Sequence, residues 1–378
     1  MNDTSHATLH APQVLEEVRV GLLSGAAGLL PAVEARMEAL ALGADGTGGL
    51  GAMVVEHLRT GGKRLRACLA LAACGALGLR PDEMTGWGAA CELLHNASLV
   101  HDDLQDGDTM RRGHPTLWHR HGMPQAVNAG DLMLMLPFLA IESLPVDDGC
   151  RWRLSRSLAW YAAETARGQS AEQQMLGQSR WQVADWLRVA EGKTAALFGL
   201  PVHGAALLAG HAEDQSRALS APFRNLGLLF QMQDDVLDLY GDKGRMERGA
   251  DLREGKVSVL VAEHLARRPE DTARVVGILS AARHCTTPDD VAWAAEAFAS
   301  SGALTASLER IEALSERVVR AGALDACPSL RPVARTLVHM TLQPIRHLLD
   351  SAWLTDLAPH TGCVADICSP SSVSQRYA

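Results

Sequence analysis

The sequence predicts an all-α fold, a single large helical bundle, on three observations. Alanine, leucine, glutamate, arginine and methionine, all strong helix formers, dominate the chain. Apolar residues recur at spacings of three and four. The alternation of β-branched and aromatic residues that marks strands is absent. In chain order the periodic runs cover 65–77, 86–104, 151–174, 181–200, 221–240 and 303–321. Glycine and proline punctuate the chain between them, at 60–62, 78–81, 113–115, 122–124, 145–149 and 241–255.

Length and charge narrow the class further. The chain has 378 residues, 47% apolar, 21% charged and 4% aromatic, with a net charge of −9. This is not a disordered chain, a collagen or a small disulfide scaffold. No linker divides it into compositionally distinct halves, so one domain over 11–355 is expected, with mobile ends at 1–10 and 356–378. No apolar stretch of about 18 residues is free of charge or turn residues, and the first twenty residues lack the pattern of a secretory leader. The expectation is a cytoplasmic protein without a membrane span. Eight cysteines, at 68, 74, 91, 150, 285, 327, 363 and 368, form no CxxC pair and read as reduced thiols. The acidic balance argues against nucleic acid as a partner. A chain of this charge that handles phosphates needs a local basic cluster or a bound metal.

Two segments break the amphipathic pattern. In LVHDDLQDGDTMRRG, Asp102, Asp103 and Asp106 end an apolar helix; in LLFQMQDDVLDLYGD, Asp234, Asp235 and Asp238 do the same. Carboxylates four apart share a helix face, so Asp102 with Asp106, and Asp234 with Asp238, each make a focused negative site. Acidic residues at a helix C-terminus oppose the macrodipole, at a cost of about 0.3–1 kcal/mol each near the surface. The apolar stretches before them, LLHNASLV and RNLGLLF, point to buried helices. Paired carboxylates on buried helices suit hard divalent cations, and Mg²⁺ above all where a substrate phosphate completes the shell. Around them stand Lys63 and Arg66 in GGKRLR, Arg111 and Arg112, Lys193 with Thr194, and Lys256 in GADLREGK, a ring fit to hold an anion. His95 shares the helix stripe of Asp102 and Asp106, at spacings of seven and four.

Taken in order, GGKRLR, ELLHNASLVHDDLQDGDTMRRG, EGKTAALF, FQMQDDVLD and GADLREGK resemble the trans-isoprenyl diphosphate synthases of the polyprenyl synthetase family, geranylgeranyl diphosphate synthases in particular. The resemblance implies an isoprenoid synthase bundle around a prenyl-chain cavity, working as a homodimer. It implies Mg²⁺-dependent head-to-tail condensation of an allylic diphosphate with isopentenyl diphosphate, with about three Mg²⁺ per active site. Asp102 and Asp106, with Asp103 beside them, would bind metal on one side, and Asp234, Asp235 and Asp238 on the other; Lys193 joins the aspartates in the catalytic set. Arg111, Lys193, Thr194, Gln231 and Lys256 would hold the allylic diphosphate. Lys63, Arg66, His95 and Arg112 would hold isopentenyl diphosphate.

The chain departs from the family pattern in three places. The stretch GDKGRMERGAD is one residue longer than usual and lacks the family's Gly-Lys pair, leaving Lys243, Arg245 or Arg248 to replace its lysine. Ser258 stands where the family often has threonine, and GQSAEQQM replaces the acidic GQxxDL pattern at 168–175. Ala97 and Ser98, at the positions that set product length in this family, are both small, which predicts a C20 or longer product unless Met133, Met135 or Phe138 forms a floor. Two other readings stand beside this one: a class I terpene cyclase, with Trp87, Trp118, Trp152, Trp160, Trp181 and Trp186 as cation-stabilising walls, and a non-catalytic subunit of a heteromeric synthase. Helix packing and surface positions are the expected roles of those tryptophans, and both aspartate motifs are complete.

Overall fold

The computed structural model describes residues 25–43, 48–176, 180–241 and 248–349. They form a helical bundle with one continuous hydrophobic core, which runs from Ala26 to Leu349. Both expected chain ends, 1–10 and 356–378, lie outside the described residues. The six predicted runs are all helical, with longer bounds in places: Leu65–Ala76, Thr85–Gln105, Asp148–Leu176, Glu213–Tyr240 and Ala303–Val319. The run at 181–200 becomes Val183–Ala190 and Ala196–Leu208, joined through a π-helical turn at Glu191–Ala195. Further helices stand at Leu30–Leu42, Gly49–Arg59, Met123–Glu142, Val259–Arg267, Pro288–Ser300 and Leu330–Leu342. Among the described residues, the one departure from all-α is a two-residue antiparallel pairing of Met110–Arg111 with His114–Pro115, which turns the chain directly after the first aspartate cluster.

The Ala196–Leu208 helix is the axis of the bundle, and all of its residues are buried. It packs against Glu213–Tyr240, Leu65–Ala76 and Thr85–Gln105. Its contact with the last of these depends on size. The Trp87 indole N–H donates to the Pro201 carbonyl at 2.9 Å, and a Cβ on Gly204 would overlap the indole ring. The ring is wholly buried, so its position fixes how the first aspartate-bearing helix sits on the axis.

Met123–Glu142 differs from the sequence expectation: it is long and apolar enough to cross a membrane. Ala126, Ala129, Gly130, Met133, Leu136, Pro137, Ala140 and Ile141 are buried, and the helix packs against Thr85–Gln105. The opposite side exposes Met123 (59%), Val127 (40%), Met135 (57%) and Leu139 (51%), all in register at multiples of four residues.

Replacing Gly204 by alanine is expected to destabilise the fold by roughly 1–3 kcal/mol, the usual cost of overpacking a filled core. Chemical denaturation checks this; an unchanged midpoint would show that the Trp87 ring can give way.

Candidate active site

The two aspartate-bearing helices end at the same cavity, which is also reached by the π-helical turn. This cavity, of about 190 Å³, is lined by Asp102, Asp106, Asp234, Asp235, Lys193 and Lys256 among others. Asp102 lies in the last turn of Thr85–Gln105 and Asp106 is its C-cap. The ammonium of Lys193 sits 3.7 Å from Asp102 and pairs directly with Glu172. Lys256 lies 3.2 Å from Asp106 and 2.9 Å from Glu254. Burial, ahead of the Asp106 and Glu172 charges, pushes the Asp102 carboxyl up to about 6. Burial works against both lysines, but Asp102 and Glu172 at Lys193, and Glu254 and Asp106 at Lys256, outweigh it and raise their pKa values.

Glycine contact places the turn that carries Lys193 and Thr194. Gly168 and Gly192 meet backbone to backbone, and a Cβ on Gly192 would lie 2.7 Å from the Gly168 Cα. This gives the 168–175 stretch its meaning. Gly168 admits the π-helical turn, Gln169 donates to Gln105 at 2.9 Å, and Glu172 supplies the carboxylate that the sequence reading missed.

Beside this acid-rich cavity lies a cation-rich group. His95 is held well below its usual pKa by burial and then by Arg66, Arg112, Arg111 and Arg64. Burial and Arg112 outweigh Glu92 and lower Arg66 to about 10. Arg66 stacks over the Phe198 ring at 4.6 Å. The Arg66 Nε donor and the His95 Nδ1 atom are buried without a protein hydrogen-bond partner. Lys63 is exposed. Arg112 donates to the Gly61 carbonyl, and a Cβ on Gly62 would lie 2.7 Å from its guanidinium. The sequence reading passed over Arg64, which is buried in left-handed backbone (φ 46°) and donates to Glu34 at 2.9 Å and to the Leu58 carbonyl.

Two aspartates sit differently from the rest. Asp103 Oδ1 accepts from Arg111 at 2.6 Å through Nε and lies 2.5 Å from Nη2, and Asp103 lines a separate cavity of about 440 Å³ with His57 and Arg120. Asp238 is buried, accepts from the backbone N–H of Asp251 at 3.0 Å, and is not among the residues lining the carboxylate cavity; Asp251 is. Among the described residues, no three Asp, Glu, His or Cys side chains gather into a self-sufficient metal centre. The cavity instead offers carboxylate oxygens from two helices beside bound lysines. That donor set fits Mg²⁺ bridged to a diphosphate, which supplies the missing oxygens.

A polyprenyl synthetase profile matches residues 50–298. The chain belongs to the polyprenyl synthetase family. It is 35% identical over 230 residues to a geranylgeranyl diphosphate synthase of Mycobacterium tuberculosis, covering 60% of this chain and 65% of that one. It is 38% identical over 180 residues to a (2E,6E)-farnesyl diphosphate synthase of Mycobacterium bovis, covering 48% and 50%. The chain thus spans half to two thirds of these relatives' length. Among solved structures, a geranylgeranyl pyrophosphate synthetase from Pyrococcus horikoshii superposes with a TM-score of 0.74 at 26% identity, covering 84% of this chain and 98% of that one. A polyprenyl synthase from Caulobacter crescentus, complexed with calcium and isoprenyl diphosphate, gives 0.71 at 27%, covering 85% and 97%.

Family membership sharpens the departures noted in the sequence. Lys243 and Arg245 lie outside the described residues, and Arg248 is exposed. Ser258 lines the cavity and caps the Val259–Arg267 helix, accepting from Val261 N at 3.4 Å. The sequence reading also missed Arg283, which reaches Asp108 at 2.6 Å and Glu254 at 2.5 Å. It clamps the loop after the first aspartate cluster to the loop after the second.

Asp102 sets a pH dependence. Because burial favours its neutral form in the folded chain, Asp102 takes up a proton near pH 6, above the ordinary carboxylate range. Its contribution to the stability of the metal-free protein therefore rises as pH falls from about 6 towards about 4, while its capacity as a cation ligand falls over the same window. Calorimetric Mg²⁺ titrations of the wild type and of Asp102→Asn, in the same inorganic diphosphate so that its own protonation is common to both, should show an extra loss of affinity in the wild type as pH falls through about 6. An identical pH dependence in the two proteins would remove Asp102 from the ligand set.

Proposed function

We propose that the chain is a trans-polyprenyl diphosphate synthase that condenses an allylic diphosphate with isopentenyl diphosphate and releases geranylgeranyl diphosphate, C20. One observation carries this reading: an acid-rich cavity with two lysines adjoins a group of buried, unpartnered cationic and imidazole donors. The first suits a diphosphate held through Mg²⁺ and the second a diphosphate held directly, so two diphosphates lie side by side. A terpene cyclase, with a single diphosphate substrate, would leave the Arg66–His95–Arg112 group with nothing to hold. The solved relative that contains both a divalent cation and isoprenyl diphosphate supports the pairing of metal with substrate.

In this reading Asp102, Asp106 and Asp234 hold Mg²⁺, with Asp238 steadying the loop of Asp251. Bound Mg²⁺ supplies charge neutralisation at the departing diphosphate. Lys193, Lys256 and Arg111 meet the charge that develops on the allylic diphosphate as its C–O bond breaks and the electron pair leaves with oxygen. Thr194 and Gln231 orient the same group, with the Thr194 hydroxyl donating to Gln231 Oε1 at 2.8 Å. Lys63, Arg66, His95 and Arg112 place isopentenyl diphosphate so that its double bond attacks the allylic cation, and the proton lost afterwards goes to the released diphosphate. Met175, Val189, Ala190 and Val257 line the cavity with apolar surface that keeps water from quenching the cation.

Product length follows from the helix below Asp102. Ala97 is fully buried, and Ser98 donates to the His95 carbonyl at 2.8 Å. Met135 is exposed and does not form a floor, which leaves buried Met133 and half-buried Phe138 of the helix that packs against Thr85–Gln105. The relatives include both geranylgeranyl and farnesyl diphosphate synthases, and the two small side chains are what favour C20 over C15 here. The exposed stripe from Met123 to Leu139 suits a second copy of the chain, giving a homodimer. The six described cysteines are all free, as a cytoplasmic setting keeps them.

Incubation with Mg²⁺, isopentenyl diphosphate and each allylic primer, followed by product chromatography, is expected to give elongated diphosphates peaking at C20 and nothing after chelation. A hydrocarbon product would favour a cyclase, and no product from any primer would favour a non-catalytic subunit. Ser98→Phe is expected to shorten the product, and an unchanged distribution would place the floor elsewhere. Met135→Glu with Leu139→Glu should halve the mass measured by light scattering; a native protein that is already monomeric would refute the dimer.

A further inference from the structure

Of the six tryptophans that the sequence reading assigned to packing and surface, Trp186 behaves differently. Trp87, Trp118 and Trp181 donate to backbone carbonyls, Trp160 lies under Arg217 and Arg224, and Trp152 is exposed. Trp186 lines the carboxylate cavity, is 3% exposed, and its indole N–H donates to Asp235 Oδ2 at 3.0 Å. The same oxygen accepts from the backbone N–H of Val259 at 2.7 Å, while Oδ1 accepts from the Gln231 amide at 2.9 Å. Gln231 in turn accepts from Thr194. A buried carboxylate that takes three N–H donors has most of its lone-pair positions filled. Its neighbour Asp234 is half-exposed on the cavity.

We propose that Trp186 is a positioning residue for the allylic-diphosphate half of the site: through Asp235 its indole N–H fixes Gln231 and Thr194, and Asp235 serves as this anchor and not as a metal ligand. The inference rests on the function proposed above. Four segments meet at Asp235: Val183–Ala190 through Trp186, the π-helical turn through Thr194 and Gln231, Glu213–Tyr240 through Asp235 itself, and the start of Val259–Arg267. The last of these follows Lys256 by three residues. The carboxylate therefore ties together the three segments that carry Thr194, Gln231 and Lys256. The Trp186 indole has a single N–H, so it fills one carboxylate position and leaves the others to Val259 and Gln231.

The test uses the full-length protein with Trp186→Phe, Asp235→Asn and the double variant, and Trp152→Phe as an exposed control. Trp186→Phe is expected to raise KM for the allylic diphosphate ~10-fold and leave KM for isopentenyl diphosphate within about twofold, the loss of about one charge-assisted hydrogen bond. Asp235→Asn should reproduce that selective loss while leaving the Mg²⁺ half-saturation within about twofold, and the double variant should cost no more than the larger single one, since both act through one contact. Trp152→Phe should leave all three values unchanged. Equal losses for both substrates, additive losses in the double variant, or a large rise in the Mg²⁺ requirement of Asp235→Asn would each overturn the proposal. If Trp186→Phe does not fold, Asp235→Asn alone decides between selective and unselective loss. Calorimetric binding of inorganic diphosphate at fixed Mg²⁺ separates the two readings. A wild-type chain that elongates nothing, yet binds diphosphate ~10-fold more tightly than Trp186→Phe, would sink the proposed function and leave the positioning network standing.

Discussion

Charges of one sign, most of them half-buried, lie on each side of a single contact, the Asp103–Arg111 ion pair. On one side are Asp102, Asp106, Glu172 and Asp234; on the other are Arg64, Arg66, Arg112 and neutral His95. Neither group could be buried alone at reasonable cost, because like charges in a low-dielectric interior raise or lower one another's pKa values until some neutralise. The arrangement is tolerable because the acidic side borrows Lys193 and Lys256. The cationic side leans on Glu92 and Glu34 and keeps donors unpaired. Both sides thus keep charge available to a ligand, which the function proposed above assigns to a cation with one diphosphate on the acidic side and to a second diphosphate on the cationic side. Asp103 spends one oxygen on Arg111, an arm the two halves share, and this explains why it stands apart from its neighbours in the cluster.

Close backbone approach sets the rest of the geometry. The π-helical turn at Glu191–Ala195 widens a helix that would otherwise run smoothly from Val183 to Leu208, and Gly168 gives it room. Without a side chain at either Gly168 or Gly192 the two backbones touch, and Lys193 and Thr194 are set at the cavity wall by that contact and not by side-chain flexibility. Asp235 then locks the same turn from the opposite helix through Gln231. Helical elements carry Asp102, Lys193, Thr194 and Gln231, while Arg283 bridges Asp108 and Glu254 between two loops.

Much of this was legible in the residues. Helical periodicity located every predicted run because the core is built from helices that bury apolar residues at three and four spacing, and the two aspartate clusters were visible because buried helices rarely end in paired acids. What stayed hidden were partners distant in sequence or ordinary in type. Glu172 and Glu254 are common residues whose meaning depends on which lysine faces them, Arg64 reads as one more base in GGKRLR, and Arg283 lies some 175 residues from the aspartate it clamps. Trp186 looked like helix packing because the indole's target, Asp235, is on another helix.

By itself the sequence determined the helical class, the two acidic clusters, the basic residues around them and the small side chains under Asp102, since each follows from local composition, spacing along one helix or the order of motifs. The tertiary structure decided which of those charges meet. It separated Asp103 and Asp238 from the carboxylates that line the cavity, joined Lys193 to Glu172 and Lys256 to Glu254, left Arg66 and His95 with unpartnered donors, and made Trp186 the anchor of Asp235. The reason is physical: a residue's type fixes what it can bind, but burial and the identity of its neighbours across the fold fix its charge, its partner and therefore its role.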